Sequence, residues 1–241
     1  MSSDTIRKEL LETARKLVGE YQNTIIESGG QAEFTFCGKK FVTFNDVCFT
    51  EGYDDIALNL PDETRKDARV LEIGCGNGCV STMHYLQNKS KISFILAVDI
   101  NPQALENTKA NFERYGVPGE VRYSDVFQAI SEDEKFDLVF WNAPFFNHTP
   151  TETGDLKIVE RGFIDPGYEG IGRFIAGARK YLRPGGNALF GFSSTCGQID
   201  ILEEKAKEAE MCLERFWHKT LVVEAFVVDW ELWRILPIDT E

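Results

Sequence analysis

Val70-Leu71-Glu72-Ile73-Gly74-Cys75-Gly76-Asn77-Gly78 is the stretch on which the fold turns. Its first four residues read as a short strand rich in branched apolar side chains. The strand runs straight into glycines, which let a backbone turn tightly and approach a ligand closely. The third glycine, Gly78, falls one residue early for the Gly-x-Gly-x-x-Gly dinucleotide fingerprint, whose last position here is Cys79. No Gly-Lys-Ser/Thr ending follows, so this is not a P-loop.

Downstream, strand and helix patterns alternate. Ser93 to Val98 is a continuous apolar strand. Asn101 and Pro102 then read as the cap and first turn of a helix whose inner face carries Leu105, Thr108, Phe112 and Tyr115. Val121 to Tyr123 and Phe136 to Trp141 are further strands. A helix is expected over 168–182, closed by Arg183-Pro184-Gly185-Gly186, before a strand from Ala188 to Phe192. Ile199, Leu202, Ala206, Ala209 and Leu213 mark a last helix, and the Val-, Phe- and Trp-rich end from Phe216 to Ile238 reads as two antiparallel strands. This alternation predicts an α/β, doubly wound, seven-stranded, mostly parallel sheet. Ligands of such sheets sit beyond the carboxyl ends of the strands.

Upstream, apolar residues at helical spacing between residues 3 and 21 predict an amphipathic helix. Glu33 to Phe36 and Phe41 to Phe44 flank a Gly-containing turn and read as a β-hairpin. Residues 1–66 are thus expected to form a helix-plus-hairpin appendage, and residues 67–241 the main domain.

Composition narrows the function classes. The chain has 241 residues, 43% of them hydrophobic, and a formal charge of −13. That balance excludes a disordered chain. The negative charge argues against a mainly electrostatic nucleic-acid binder. Residues 1–20 lack a hydrophobic signal core, and no apolar run has the length of a membrane span. The six cysteines form no Cys-x-x-Cys pair, so neither a zinc site nor any other metal site is expected, and reduced thiols in a cytoplasmic protein are.

The glycine loop resembles that of class I S-adenosylmethionine-dependent methyltransferases, whose first strand ends in acidic-x-Gly-x-Gly-x-Gly. The similarity runs from about Arg69 to Phe192. It implies a Rossmann-like methyltransferase fold, with S-adenosyl-L-methionine as cofactor. It also implies cofactor-binding roles for Glu72, Gly74, Cys75, Gly76, Asn77 and Gly78. Asp99 would hold the ribose hydroxyls, Ile100 would flank the adenine, and Asp125 and Val126 would contact its edge. For Asp125 a plain capping role is the alternative. The 1–66 appendage would then cover the acceptor side.

The fourth strand ends Asn142-Ala143-Pro144-Phe145. This resembles the Asn-Pro-Pro-Tyr/Phe motif of amino-methyltransferases, which methylate planar nitrogens. By that resemblance the Asn142 side-chain oxygen and the Ala143 carbonyl would accept from the target nitrogen, Phe145 would stack on it, and Pro144 would shape the turn. Asn142 would also border the cofactor. Ala143 stands where the family has its first proline, so some rigidity is expected to be lost. The long connection 147–166 carries His148, Glu152, Asp155, Glu160 and Arg161, among which His148 is a candidate proton acceptor. The run Gly167 to Phe174 resembles a Gly-x-x-Gly segment of release-factor glutamine methyltransferases. Phe49-Thr50-Glu51-Gly52 falls where that branch lays a cofactor-contacting segment. The expectation is methyl transfer to an amide, amine or heteroaromatic nitrogen of a small-molecule or protein acceptor. The alternatives are an RNA or DNA amino-methyltransferase and a non-catalytic methyltransferase-like binding protein.

Overall fold

The structure is a computed structural model and describes residues 2–49, 54–148 and 156–238. Helix α1 (Ser3–Glu27) starts where the Ser2 hydroxyl accepts the N–H of Thr5. It buries a stripe of Leu10, Leu11, Val18 and Ile25. Ile25 carries that stripe about one turn past the expected end at Tyr21. Strands β1 (Gln31–Phe36) and β2 (Lys39–Phe44) form a separate antiparallel hairpin, as the alternation predicts. A short helix, α2 (Asp54–Leu58), follows.

The main sheet then builds from β3 (Ala68–Ile73), α3 (Cys79–Gln87), β4 (Ile92–Asp99), α4 (Pro102–Tyr115), β5 (Gly119–Tyr123) and β6 (Phe136–Asn142). It continues through α5 (Glu169–Gly177), β7 (Leu182–Phe192), α6 (Ile199–Glu208), β8 (Met211–Val223) and β9 (Phe226–Pro237). The strand order is β5-β4-β3-β6-β7-β9-β8; β3 to β7 are parallel, and β9 runs antiparallel to both neighbours. This is the doubly wound seven-stranded sheet expected. Leu71, Leu96, Val98, Val139, Phe140 and Leu189 are buried in its centre. That explains why β3, β4 and β6 read as unbroken apolar runs.

Three local expectations give way to tertiary context. The inner face of α4 is Ala104, Asn107, Thr108, Asn111 and Phe112, whereas Leu105 and Tyr115 are only half-buried. The expected 168–182 helix is α5 between two 3-10 turns, and Arg183-Pro184-Gly185-Gly186 lies inside β7 as a bulge. Arg183 pins that bulge by donating to the Asp137 carboxylate at 2.9 Å. Helix α6 stops before Leu213, because Glu210 adopts a φ of 59° and turns the chain into β8.

The sheet has one topological switch point. From β3 the chain winds toward β4 and β5; from β6 it winds the other way toward β7. Right-handed crossovers therefore place α3 and α4 on one face and α5 on the other. A crevice opens between the carboxyl ends of β3 and β6. The glycine loop leaves the first strand and Asn142 ends the second, so the two motifs meet there.

Candidate active site

All three loop glycines have left-handed backbones: φ is 61° at Gly74, 55° at Gly76 and 75° at Gly78. Space forbids a side chain at two of them. A Cβ at Gly74 would stand 2.4 Å from Trp141 Nε1, and one at Gly78 would stand 2.8 Å from Thr108 Cγ2. The loop is held from several sides. The Gly76 N–H donates to Asp99 at 3.0 Å, and the Thr108 hydroxyl donates to the Gly76 carbonyl at 3.0 Å. The Asn111 amide donates to the Asn77 carbonyl at 2.8 Å.

Asp99 also accepts the N–H of Asn101 at 2.8 Å, so each of its oxygens holds backbone. Burial raises its carboxyl above the ordinary value, and the backbone N–H groups work against that rise. Glu72 is 2% exposed and accepts from the Ser81 hydroxyl. Burial pushes its carboxyl up to about 8, with the Ser81 bond opposing and the Asp99 charge adding. Both groups are therefore poised to gain from a cationic or hydroxyl-bearing partner.

Across the crevice, the Ala143 N–H donates to the Gly191 carbonyl at 3.1 Å. A proline could not make this bond. Tyr168, fully buried, donates its hydroxyl to the Phe145 carbonyl at 2.8 Å and accepts the Gln198 N–H at 2.9 Å. The Phe146 N–H donates to the Phe163 carbonyl, and Phe146 accepts from Asp165. These bonds supply the rigidity that Ala143 was expected to forfeit. Asn142 stands apart: its Oδ1 is buried without a hydrogen-bond partner among the described residues. A Cβ on Gly191 would meet that oxygen at 2.6 Å, so only glycine leaves it room.

These residues surround one cavity of about 370 Å³. Glu72, Gly74, Cys75, Gly76, Asn77, Asp99, Ile100, Asp125, Val126, Asn142, Ala143, Pro144 and Phe145 all line it. Gly78 does not; it starts α3, and its place is set by Thr108. His148 is not in the lining. Thr50, Glu51, Gly52, Glu152 and Asp155 lie outside the described residues. Asp125 caps no helix among the described residues; its carboxylate accepts from Arg173 of α5 at 2.8 Å. Sequence reasoning missed the wall formed by Phe36, Val47 and Cys48, and the neighbouring Asp165 and Arg173; Phe49, which the resemblance put in a cofactor-contacting segment, lines the cavity with them, as does Arg161 of the long connection. The buried Asn107 and Asn111 of α4 were a signal available for the first of these, because amides on an inner helical face need partners.

The sequence profile described as "Methyltransferase small domain" matches residues 54–219. The chain belongs to this methyltransferase family. Among its relatives is a protein of Methanocaldococcus jannaschii named as an N5-glutamine methyltransferase, 34% identical over 155 residues, covering 63% of this chain and 75% of that one. The release factor glutamine methyltransferase of Geobacter sulfurreducens is 27% identical, over 63% of this chain and 55% of the other. A tRNA1(Val) (adenine(37)-N6)-methyltransferase of a Flavobacteriaceae bacterium is 32% identical, over 47% of this chain and 49% of its own length. The chain thus spans about half the length of the latter two. Among solved structures, the methyltransferase SMU.776 complexed with SAH superposes with a TM-score of 0.62 at 12% identity, over 85% of this chain and 56% of that one. That likeness supports the Rossmann-like fold. The family is S-adenosyl-L-methionine-dependent. The cavity fits that cofactor: Gly74 and Gly76, both with left-handed backbone, line it as a cradle, and the buried carboxylates of Glu72 and Asp99 stand in its lining, where a cationic, hydroxyl-bearing ligand would meet them. Among the described residues no helix is long and apolar enough to cross a membrane.

Proposed function

We propose that this methyltransferase transfers a methyl group to a planar nitrogen, with the side-chain amide of a protein glutamine as the favoured acceptor. The observation that carries the reading is Asn142, which lines the cavity and whose buried Oδ1 has no hydrogen-bond partner among the described residues. A buried acceptor without a donor costs about 1–3 kcal/mol. An N–H of an amide or amine acceptor supplies the missing donor. The Methanocaldococcus jannaschii relative, matched over 75% of its own length, bears a glutamine methyltransferase name, which supports an amide.

When bound, S-adenosyl-L-methionine supplies an electrophilic methyl on a sulfonium. Gly74, Cys75, Gly76 and Asn77 would hold it, with Asp99 toward the ribose, Ile100, Asp125 and Val126 toward the adenine, and Glu72 toward the amino-acid end. Asn142 Oδ1 and the Ala143 carbonyl accept hydrogens of the target nitrogen and raise its electron density. Phe145 and Pro144 border the planar group. Transfer then rests on alignment and on acceptors fixed before the reaction. The appendage serves two sides. Arg7 and Arg15 of α1 bond Gly197 and Glu160 near the acceptor loops, whereas the hairpin packs against α4 and the glycine loop. We place the protein in the cytoplasm, consistent with six free cysteines.

The test is transfer of labelled methyl from S-adenosyl-L-methionine into a cell extract separated into protein and RNA. Wild type should label protein, and Asn142→Ala should bind SAH but label nothing. Label in RNA would replace the protein reading with the second one, an adenine amine, which the transfer-RNA relative favours and the charge of −13 disfavours. Undiminished labelling by Asn142→Ala would remove that residue from the chemistry.

A further inference from the structure

Helix α4 points two asparagines inward where its neighbours are apolar. Asn107 and Asn111 are one turn apart and fully buried. The Asn107 amide accepts the N–H of Phe44 at 2.9 Å and donates to the Val42 carbonyl at 2.8 Å. The Asn111 amide accepts the N–H of Val42 at 3.1 Å and donates to the Val42 carbonyl at 2.8 Å. Together they occupy the edge of β2 that faces away from β1, as a third strand would. Asn111 has one more bond, to the Asn77 carbonyl at 2.8 Å. Asn77 in turn donates through its side chain to the Thr43 hydroxyl at 3.0 Å. The hairpin, α4 and the glycine loop therefore close a ring of hydrogen bonds.

Beyond β2, Asn101 donates to the Asp46 carbonyl at 2.8 Å, and Asp46 turns the chain with a φ of 60°. Val47, Cys48 and Phe49 then line the cavity. The Cys48 carbonyl oxygen stands 3.7 Å from where a Gly76 Cβ would be. Burying amides is unfavourable unless they are bonded, and an apolar contact would hold the hairpin without fixing its register. The amides fix it to the loop that shapes the cavity.

We infer that Asn111 is a positioning residue for the cofactor: it locks the hairpin and the glycine loop in one register, and so sets where Asn77 and the Val47–Phe49 wall stand. This rests on the reading of the cavity as the S-adenosyl-L-methionine site. SAH binding is measured by calorimetry on the full chain, at a temperature where circular dichroism shows each variant folded. Asn111→Leu should weaken SAH about tenfold or more, the size of one or two net hydrogen bonds. Thr43→Val, which removes only the bond to Asn77 and keeps the volume, should weaken it about threefold. Hydrogen exchange on wild type supplies a readout that a merely structural role leaves unmoved: SAH should slow the amides of Val42 and Phe44 along with those of the glycine loop. SAH affinity within twofold of wild type in Asn111→Leu overturns the inference. Should that variant fail to fold, SAH protection of the loop without protection of Val42 and Phe44 overturns it instead. No SAH binding to wild type defeats the cofactor reading itself, and the inference with it.

Discussion

The hydroxyl of Tyr168 donates to the carbonyl oxygen of Phe145 at 2.8 Å, and so a residue just before α5 holds the backbone of the tetrapeptide that ends β6. Tyr168 sits at a φ of 51°, a conformation that costs energy in a bulky residue and that the surrounding bonds maintain. Gly197 is part of the same arrangement, since a Cβ there would stand 2.5 Å from the Phe145 oxygen. Tyr168→Phe keeps the ring and removes the hydroxyl's bonds to the Phe145 carbonyl and the Gln198 N–H. It should lower stability by about 1–3 kcal/mol. Methyl transfer should slow roughly tenfold while SAH affinity holds. Single-turnover transfer beside SAH calorimetry checks this, and an unchanged rate in the folded variant would refute the positioning role.

Glu72 predicts a pH dependence whose sign can be worked out. Burial raises its carboxyl from 4.5 to about 8. Between those values the folded chain holds the proton and the unfolded chain releases it, so stability is full at low pH and is lost as pH rises through about 8. The melting temperature without ligand should fall by roughly 5 °C or more between about pH 6 and pH 9. Glu72→Gln should flatten that part of the profile. SAH affinity should rise over the same interval in wild type, because the ligand's ammonium favours the carboxylate. A variant profile superimposable on wild type would show that Glu72 does not titrate there.

Arg173 and Asp125 form an ion pair at 2.8 Å, and both line the cavity. Both side chains are partly exposed, so the pair itself adds little stability. Its expected effect is orientation: with one oxygen on Arg173, the Asp125 carboxylate is held in place in the cavity lining. Arg173→Met should weaken SAH roughly threefold to tenfold. It should also narrow the preference for SAH over its inosine counterpart, which lacks the adenine amino group. In an Asp125→Ala background, Arg173→Met should change SAH binding little further. Additive losses in calorimetry would mean that Arg173 acts independently of Asp125.

The sequence by itself determined the parts that rest on local physics. Glycines at 74, 76 and 78 are demanded by left-handed backbone, and two of them by contact, so their spacing was legible in one dimension. Strands β3, β4 and β6 are buried on both faces, and unbroken apolar runs announce that. Asn101 with Pro102 marked the start of α4, because a cap is a local bond. Asn142 was legible too, since it ends a strand at the ligand edge of the sheet.

Only the tertiary structure decided the rest. The last turn of the expected helix at Leu213 became strand, because pairing of β8 with β9 outweighs a weak helical periodicity. Ala143 looked like a loss of rigidity, yet its N–H completes a bond to Gly191 and Tyr168 holds the turn from far along the chain. The hairpin's place over the glycine loop depends on Asn107 and Asn111, residues whose partners in the hairpin lie more than sixty positions away. Side-chain amides carry no periodic signal, and what they bond is fixed only when the chain has folded. The cradle was written in the sequence as backbone requirement; the wall around it exists only as contacts between distant segments.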